Sequence, residues 1–309
     1  MLVLTSATGK LGSAVLKALL ENNLIAPNEL VISTSSNASD SRWGAVRAKG
    51  VSIRYGSYDD SASLEKAFEG CKRLFLVSTP RISMDFNNAK PGEGREKHHM
   101  LAINAARKAG IQHIYYTSLA FGSNSKAAVM RAHLRTEEYL ASLNDIGYTV
   151  IREGLYNESW PLYFGHYSVS DDQRKEVIVA GDGKISWTAI KDLGLGTALI
   201  LAAPSKDYAS RTLYLSSLSS KTLTELAQII SGIKGEGVKL KIVPQEEYEN
   251  YYIGEREMGE GNVKWWSSTY AALEDGECKI HDGTLEQLLQ AKGHHLQPLE
   301  ATVRKMLGR

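Results

Sequence analysis

A glycine-containing turn near the start of the chain carries the clearest chemical signal. A short apolar run at residues 2–5 leads through this turn into a stretch whose apolar residues recur at helical spacing. Backbone amides at the start of a helix can bind a diphosphate, because they are unpaired and the helix dipole favours negative charge there. Within the turn, Gly9 lets a phosphate approach the main chain and Gly12 lets the helix pack on the strand. The residues predicted to hold a dinucleotide here are Ser6, Thr8, Gly9, Lys10, Leu11 and Gly12.

The second apolar run, residues 30–34, ends in hydroxyl-bearing side chains and not in an acid. A carboxylate at this point would bind the ribose 2′-hydroxyl and repel a 2′-phosphate, but the first acid is Asp40. The pattern favours NADP(H) over NAD(H); the alternative is that the serines only form a loop and the preference is weak. The predicted contacts at this end are Thr34, Ser35, Asn37 and Arg42, and those further along the chain are Tyr58, Val77, Ser78, Thr79 and Pro80.

Candidates for the reacting end follow the fifth and sixth apolar runs. None of the fifteen tyrosines has a lysine four residues after it, so a Tyr–Lys pair on one helix face, in which Lys lowers the tyrosine pKa, is missing. A histidine can titrate near neutral pH, and a tyrosine can supply an acid, although packing is the alternative for each. The catalytic candidates are Ser118, His133 and Tyr156, and Ser118, His133, Leu155, Tyr156 and Asn157 are expected beside the cofactor.

The first half of the chain alternates short apolar runs with amphipathic stretches. This cadence predicts right-handed βαβ units, and hence an α/β fold with a Rossmann-type doubly wound parallel sheet. The predicted strands cover residues 2–5, 30–34, 51–55, 73–78, 113–119 and 148–152, and the helices 11–19, 61–70, 94–109 and 125–143.

After about residue 155 the alternation is less regular. Residues 1–155 are therefore predicted to form the dinucleotide-binding domain, and 156–309 a smaller C-terminal α/β substrate lobe that packs discontinuously over the carboxyl edge of the sheet. Residues 254–283 match neither pattern. In this half the predicted strands are 177–180 and 213–216, and the predicted helices are 192–201, 223–233, 245–253 and 284–292.

A series of motifs resembles the NmrA-like family of atypical short-chain dehydrogenases. The opening run Thr5–Gly12 is similar to the family's T-G-A-T-G-x-L-G, with Ser6 in place of the first glycine, so this turn must avoid positive φ or carry strain. Ser57 stands where the family usually has Asp. His133 lies where relatives carry Lys or His facing the nicotinamide. The other matching runs are Tyr58–Gly70, His113–Ala120, His133–Glu137, Arg152–Glu158, Gly181–Lys184 with Asp192, and His281–Glu286.

The resemblance implies an NADPH-dependent reductase that transfers hydride to a quinone, an enone or a similar conjugated aromatic molecule. A non-catalytic NADP(H)-sensing regulator that binds a protein partner is an alternative, and so is a dedicated secondary-metabolite reductase or isomerase. The missing Tyr–Lys pair favours the regulator, whereas the compact C-terminal half favours the enzyme.

The overall composition argues against several classes of partner. The net charge is +1, and no apolar run approaches the ~18 residues of a membrane span, so neither a nucleic-acid nor a membrane surface is expected. We expect a cytoplasmic protein, a monomer or homodimer, with Cys71 and Cys278 in the core and no metal. Two histidine pairs, 98–99 and 294–295, are expected at the solvated surface. The loop 80–94 is either a lid or a mobile connection. Trp160, Trp187, Trp265 and Trp266 are expected in the core or around a pocket.

Overall fold

A seven-stranded, wholly parallel sheet forms the centre of the computed structural model, which describes residues 1–309. Its strand order, β3-β2-β1-β4-β5-β6-β8, reverses direction between β1 and β4, which is the switch point where doubly wound sheets bind ligands. The predicted Rossmann-type fold is thus confirmed. The seven strands are β1 (Leu2–Thr5), β2 (Leu30–Thr34), β3 (Ser52–Tyr55), β4 (Arg73–Leu76), β5 (His113–Leu119), β6 (Gly147–Glu153) and β8 (Arg211–Leu215); β7 (Glu176–Val179) and β9 (Lys239–Ile242) form a separate parallel pair.

Helices cover both faces of the large sheet, which explains why its strands are apolar on both sides. Leu2 and Leu4 face one helical layer and Val3 faces the other, because successive strand residues point to opposite faces. The helices are α1 (Lys10–Glu21), α2 (Gly44–Ala48), α3 (Ser61–Phe68), α4 (Glu96–Lys108), α5 (Ala128–Ala141), α6 (Trp160–Tyr163), α7 (Ile190–Ala202), α8 (Leu223–Lys234), α9 (Gln245–Asn250), α10 (Glu260–Glu274), α11 (Thr284–Gln290) and α12 (Leu299–Met306).

The second half of the chain contributes to both parts of the molecule. β8 pairs with β6 as the seventh strand of the large sheet, and α7 packs against α1 on one of its faces. The expected boundary at residue 155 therefore does not coincide with the edge of this sheet. Most of the remaining elements, including the β7–β9 pair, α8 and α10, surround a separate hydrophobic core that contains the four tryptophans Trp160, Trp187, Trp265 and Trp266.

Helix α10 occupies much of the stretch that the sequence left unassigned. Trp265 and Trp266 are both buried, so aromatic residues lie on two sides of this helix. A helix buried on most of its surface loses the apolar stripe by which a surface helix is identified. Four further elements, α2, α6, β9 and α12, were also not predicted. No helix of the structure combines the length and the apolar character that a membrane crossing requires.

Candidate functional site

The turn after β1 adopts the strained conformation that its sequence left open. Ser6 has a φ of 52°, in the left-handed region that favours glycine. Gly12 lies against this residue, where a Cβ would overlap the Ser6 carbonyl oxygen. Thus the helix packs against the turn as expected from the glycine.

The first backbone amides of α1 have no hydrogen-bond partner within the helix. Its cap residue, Gly9, is extended and supplies no side-chain cap, and no acid lies in the first turn. The first N–H groups of a helix lack intrahelical partners, and they attract anions. The arrangement therefore fits a dinucleotide diphosphate, with Lys10 exposed beside it.

A cleft of about 400 Å³ lies at the carboxyl ends of β1, β2, β3 and β4. Fourteen of the residues predicted to bind the dinucleotide line it, and six do not. The cleft also contains residues from loops that carried no motif, among them Trp43, Gly56 and Arg81. The predicted residues that line it are Ser6, Thr8, Gly9, Lys10, Leu11, Gly12, Thr34, Ser35, Tyr58, Val77, Ser78, Thr79, Pro80 and Tyr156; those outside the lining are Asn37, Arg42, Ser118, His133, Leu155 and Asn157.

Hydroxyl groups and one indole form the end of the cleft beyond β2. Thr34 and Ser36 share a hydrogen bond of 2.8 Å between their hydroxyl oxygens. Trp43 is 4% exposed, and its Nε1 has no hydrogen-bond partner. Arg42 lies at the surface and donates to Asp40 at 2.9 Å, and this guanidinium lowers the pKa of the Asp40 carboxyl. No carboxylate lines this end, so a 2′-phosphate would meet no negative charge there.

Two side chains join the loop after β3 to the loop after β4. The Tyr58 hydroxyl donates to the Val77 carbonyl at 2.7 Å, and Thr5 at the end of β1 lies within 3.2 Å of the same hydroxyl. Arg81 forms a two-pronged ion pair with Asp59, at 2.6 Å for its Nη1. Since β2 and β1 lie between β3 and β4 in the sheet, these contacts cross their carboxyl ends.

Ser118 lies in a buried ion-pair network beside the cleft. Its hydroxyl donates to Glu137 at 2.6 Å, and Arg152 binds both oxygens of the same carboxylate, at 3.1 and 2.7 Å. Arg152 and Glu137 belong to two of the motifs that resemble the family, so their pairing gives those motifs a structural reason. Ser118 is 1% exposed, and its catalytic role stays a prediction.

His133 is likewise enclosed, and it contacts a second buried histidine through a tyrosine. Its Nδ1 lies 2.9 Å from the Tyr116 hydroxyl, and Nδ1 of His99 lies 3.2 Å from the same oxygen. Nε2 of His99 accepts a hydrogen bond of 3.0 Å from the Thr79 backbone, in the cleft lining. Burial lowers the pKa of both imidazoles well below its ordinary value.

The expectation that the 98–99 pair is solvated is therefore wrong. His98 is 6% exposed and His99 is fully buried, because α4 is covered on both of these faces. His98 stacks on Tyr58 with the ring planes 7° apart, while His99 points toward β5. The two side chains do not converge, as expected for neighbours on a helix. The second pair, 294–295, is exposed as expected.

Tyr156 and Asn157, which follow β6, have different surroundings. Tyr156 lines the cleft, and burial, with the nearby Glu153 and Glu158 charges, raises the pKa of its phenol. Asn157 is fully buried and donates to the Gln297 carbonyl at 3.1 Å and to Thr302 at 3.2 Å. Its amide therefore joins the cleft edge to α12.

A buried ion pair joins two points of the segment that follows Pro80. Asp85 and Arg95, each about 5% exposed in its side chain, are 2.6 Å apart. Phe86 contacts Trp265 of α10, with ring centroids 5.8 Å apart, and Arg131 donates to Asn88 at 2.8 Å. This segment thus links the large sheet's helices to the smaller core.

Among the residues around the site that sequence reasoning missed are Trp43, Arg81 and His99. Trp43 and Arg81 lie in irregular segments where no periodicity applies, and His99 was grouped with its neighbour as surface. A usable signal existed only for His99, since it lies in the same helix turn as the apolar residues Ala102 and Ile103 that face the sheet.

Comparisons with known proteins agree with this geometry. A protein-family model described as NAD(P)H-binding matches residues 6–190, more than half of the chain. The chain is 28% identical to an NmrA-like family domain-containing oxidoreductase of Aspergillus flavus, over 99% of this chain and 94% of that protein. It is 27% identical to quinone oxidoreductase 2 of Escherichia coli, over 80% and 79% of the two chains.

A solved structure of Citrobacter sp. triphenylmethane reductase complexed with NADP(H) superposes with a TM-score of 0.79 at 27% identity, covering 99% of this chain and all of the other. The resemblance seen in the motifs is thus confirmed over nearly the whole length. The chain therefore belongs to the NAD(P)H-binding family, and over nearly its whole length it is similar to an NmrA-like oxidoreductase.

Proposed function

We propose that this chain is an NADPH-dependent reductase of a conjugated small molecule such as a quinone or an enone. The observation that carries the proposal is the cleft itself: uncapped amides at the start of α1 lie at one side, and a hydroxyl-lined end without a carboxylate lies beyond β2. Two similar proteins carry names that describe reduction of a quinone and of a triphenylmethane dye.

Each part of the cleft has a distinct task in this proposal. The amides from Lys10 to Gly12 bind the diphosphate, and the hydroxyls of Thr34 and Ser35 bind the ribose 2′-phosphate. Val77–Pro80 and Tyr156 contact the nicotinamide end. When bound, NADPH supplies the hydride, so the protein's task is to orient it against the substrate.

The acid–base demand on the protein is small. The Tyr156 phenol has a raised pKa and remains protonated, and no lysine stands four residues after any tyrosine. Reduction of a quinone or an enone leaves its charge on an oxygen, to which solvent can deliver the proton. Strong general acid catalysis is therefore not required of this site.

The test is a titration followed by a turnover assay. We expect NADPH to bind more tightly than NADH, as measured by cofactor fluorescence, and a panel of quinones, enones and triphenylmethane dyes to include a substrate that consumes NADPH. Tight NADPH binding with no turnover across the panel would contradict the reductase and favour a dinucleotide-sensing regulator. Equal binding of NADPH and NADH would contradict the assigned cofactor preference.

A further inference from the structure

A chain of hydrogen bonds joins the cleft lining to His133 through two other buried side chains. It contains the Thr79 amide, His99, Tyr116 and His133, with successive distances of 3.0, 3.2 and 2.9 Å. His99, Tyr116 and His133 are each at most 1% exposed. Burial lowers the pKa of both imidazoles, so both rings are neutral and each carries a single N–H.

The direction of the first link is fixed by the main chain. A backbone N–H only donates, so Nε2 of His99 accepts from Thr79 and the ring proton lies on Nδ1. That Nδ1–H faces two oxygens, the Thr136 hydroxyl at 2.9 Å and the Tyr116 hydroxyl at 3.2 Å. The Thr136 hydroxyl donates to the Ala132 carbonyl at 2.7 Å, which leaves its oxygen free to accept.

The direction of the last link follows from the first. The Tyr116 hydroxyl has two ring nitrogens beside it, and that of His99 is already protonated and cannot accept. Tyr116 must therefore donate to Nδ1 of His133. This leaves the single proton of the neutral His133 ring on Nε2. That nitrogen has no acceptor within the protein and is not fully buried.

From this chain of donors we infer that His99 and Tyr116 are positioning residues that lock His133 in its Nε2–H form, as a fixed hydrogen-bond donor to the carbonyl oxygen of the substrate. The inference rests on the proposed reductase function for its substrate. A donor held in place before the reaction stabilises the negative charge that develops on that oxygen, without reorganising in the transition state. His133 keeps its proton throughout, and solvent protonates the oxygen.

The tautomer is measured without any turnover, by two-bond 1H–15N correlation spectra of the histidine-labelled protein in complex with NADP+. The eight histidines give few enough signals to assign with the H99Q and H133Q variants. We expect Nδ1–H for His99 and Nε2–H for His133 in the wild type at neutral pH. A His133 ring that is protonated on Nδ1, or on both nitrogens, overturns the inference whatever the enzyme reduces.

Kinetics test whether the lock matters to the reaction. We expect His133→Ala to lower kcat about 100-fold, the lower end of the range for loss of one preorganised donor, and Tyr116→Phe, which keeps the donor but frees its tautomer, to lower kcat only about tenfold. Tyr115→Phe is the matched control, because its hydroxyl contacts Ser205 on the other face of the same strand. His99→Gln, which retains an acceptor and a donor, should keep more kcat than His99→Leu.

Equal kcat for the Tyr115 and Tyr116 variants, both folded by their Tm, would overturn the positioning role. The expected wild-type tautomers in a protein that reduces no substrate would support the lock and contradict only the proposed function.

Discussion

The turn after β1 depends on main-chain atoms, whereas the buried histidine cluster depends on side-chain atoms. At the turn, the proposed contacts to the diphosphate use main-chain amides, and Ser6, which departs from the family pattern, has a φ of 52°. In the cluster, the contacts of His99, Tyr116 and His133 depend on side-chain nitrogen and oxygen atoms in sealed surroundings. A backbone site tolerates many side chains, whereas a sealed polar cluster loses a partner with almost any substitution.

The largest expected effect of a buried polar side chain is at Glu153, whose carboxyl lies in the interior. Its Oε1 accepts a hydrogen bond of 2.7 Å from Thr197, its Oε2 has no partner, and burial raises its pKa from 4.5 to about 8. The folded chain thus holds a proton that the unfolded chain has released. The contribution of this group to the free energy of unfolding therefore falls by roughly 3–5 kcal/mol as pH rises from about 4.5 to about 8. Above that pH it stays constant.

We expect Glu153→Gln to remove this loss. Urea unfolding at pH 5 and pH 9 should show a much smaller difference between the two conditions for the variant than for the wild type. Glu138→Gln, at an exposed position on α5, is the control and should leave the difference unchanged. A wild-type protein that is equally stable at both pH values, after the same control, would contradict the raised pKa.

The second prediction concerns the glycine on which the turn depends. Gly12→Ala places a Cβ against the Ser6 carbonyl oxygen, so α1 must move away from the turn. Such overpacking costs roughly 1–3 kcal/mol, and we expect NADPH affinity to fall about 100-fold. The control is Gly44→Ala, where an added Cβ meets nothing within 4 Å. Fluorescence titration measures the loss, and unaltered affinity would show that the close packing is not needed.

The sequence predicts the turn after β1 better than it predicts the buried histidine cluster. The turn was predictable because strand, turn and helix are contiguous, so spacing alone places Gly9 and Gly12. The interior cluster brings together α4, β5 and α5, which no local pattern connects. His99 was misassigned for that reason, and Trp43 and Arg81 were missed because irregular loops carry no periodicity. In α10, burial on more than one side removed the narrow apolar stripe that would have marked the helix.

Relief of backbone strain gives a smaller effect. Ser6 and Ser210 both have positive φ, 52° and 56°, where a non-glycine residue costs roughly 1 kcal/mol. Ser6→Gly and Ser210→Gly should each stabilise the fold by about 1 kcal/mol in urea unfolding. Only the first lies in the cleft, and only there do we expect the NADPH dissociation constant to change, by up to about threefold. Destabilisation by both changes would contradict the assigned strain.

The smallest expected effect is at Trp43. Its indole lines the cleft beyond β2, so bound cofactor should quench its fluorescence. Trp43→Phe keeps an aromatic surface and loses only part of it, which corresponds to about 0.5–1 kcal/mol, or a two- to fivefold weaker NADPH complex. The control Trp187→Phe lies in the smaller core, and its protein should retain the quenching. Full quenching in the Trp43 variant would place the cofactor elsewhere.

The ion pair between Asp59 and Arg81 has a consequence for how the cofactor enters. Both side chains are about half exposed, so the pair contributes little to stability and weakens as salt is added. It nevertheless crosses the strand ends over which the dinucleotide must lie. We therefore expect added salt to loosen this one link between the loops that the cofactor passes, while the Tyr58–Val77 hydrogen bond and the sheet stay intact.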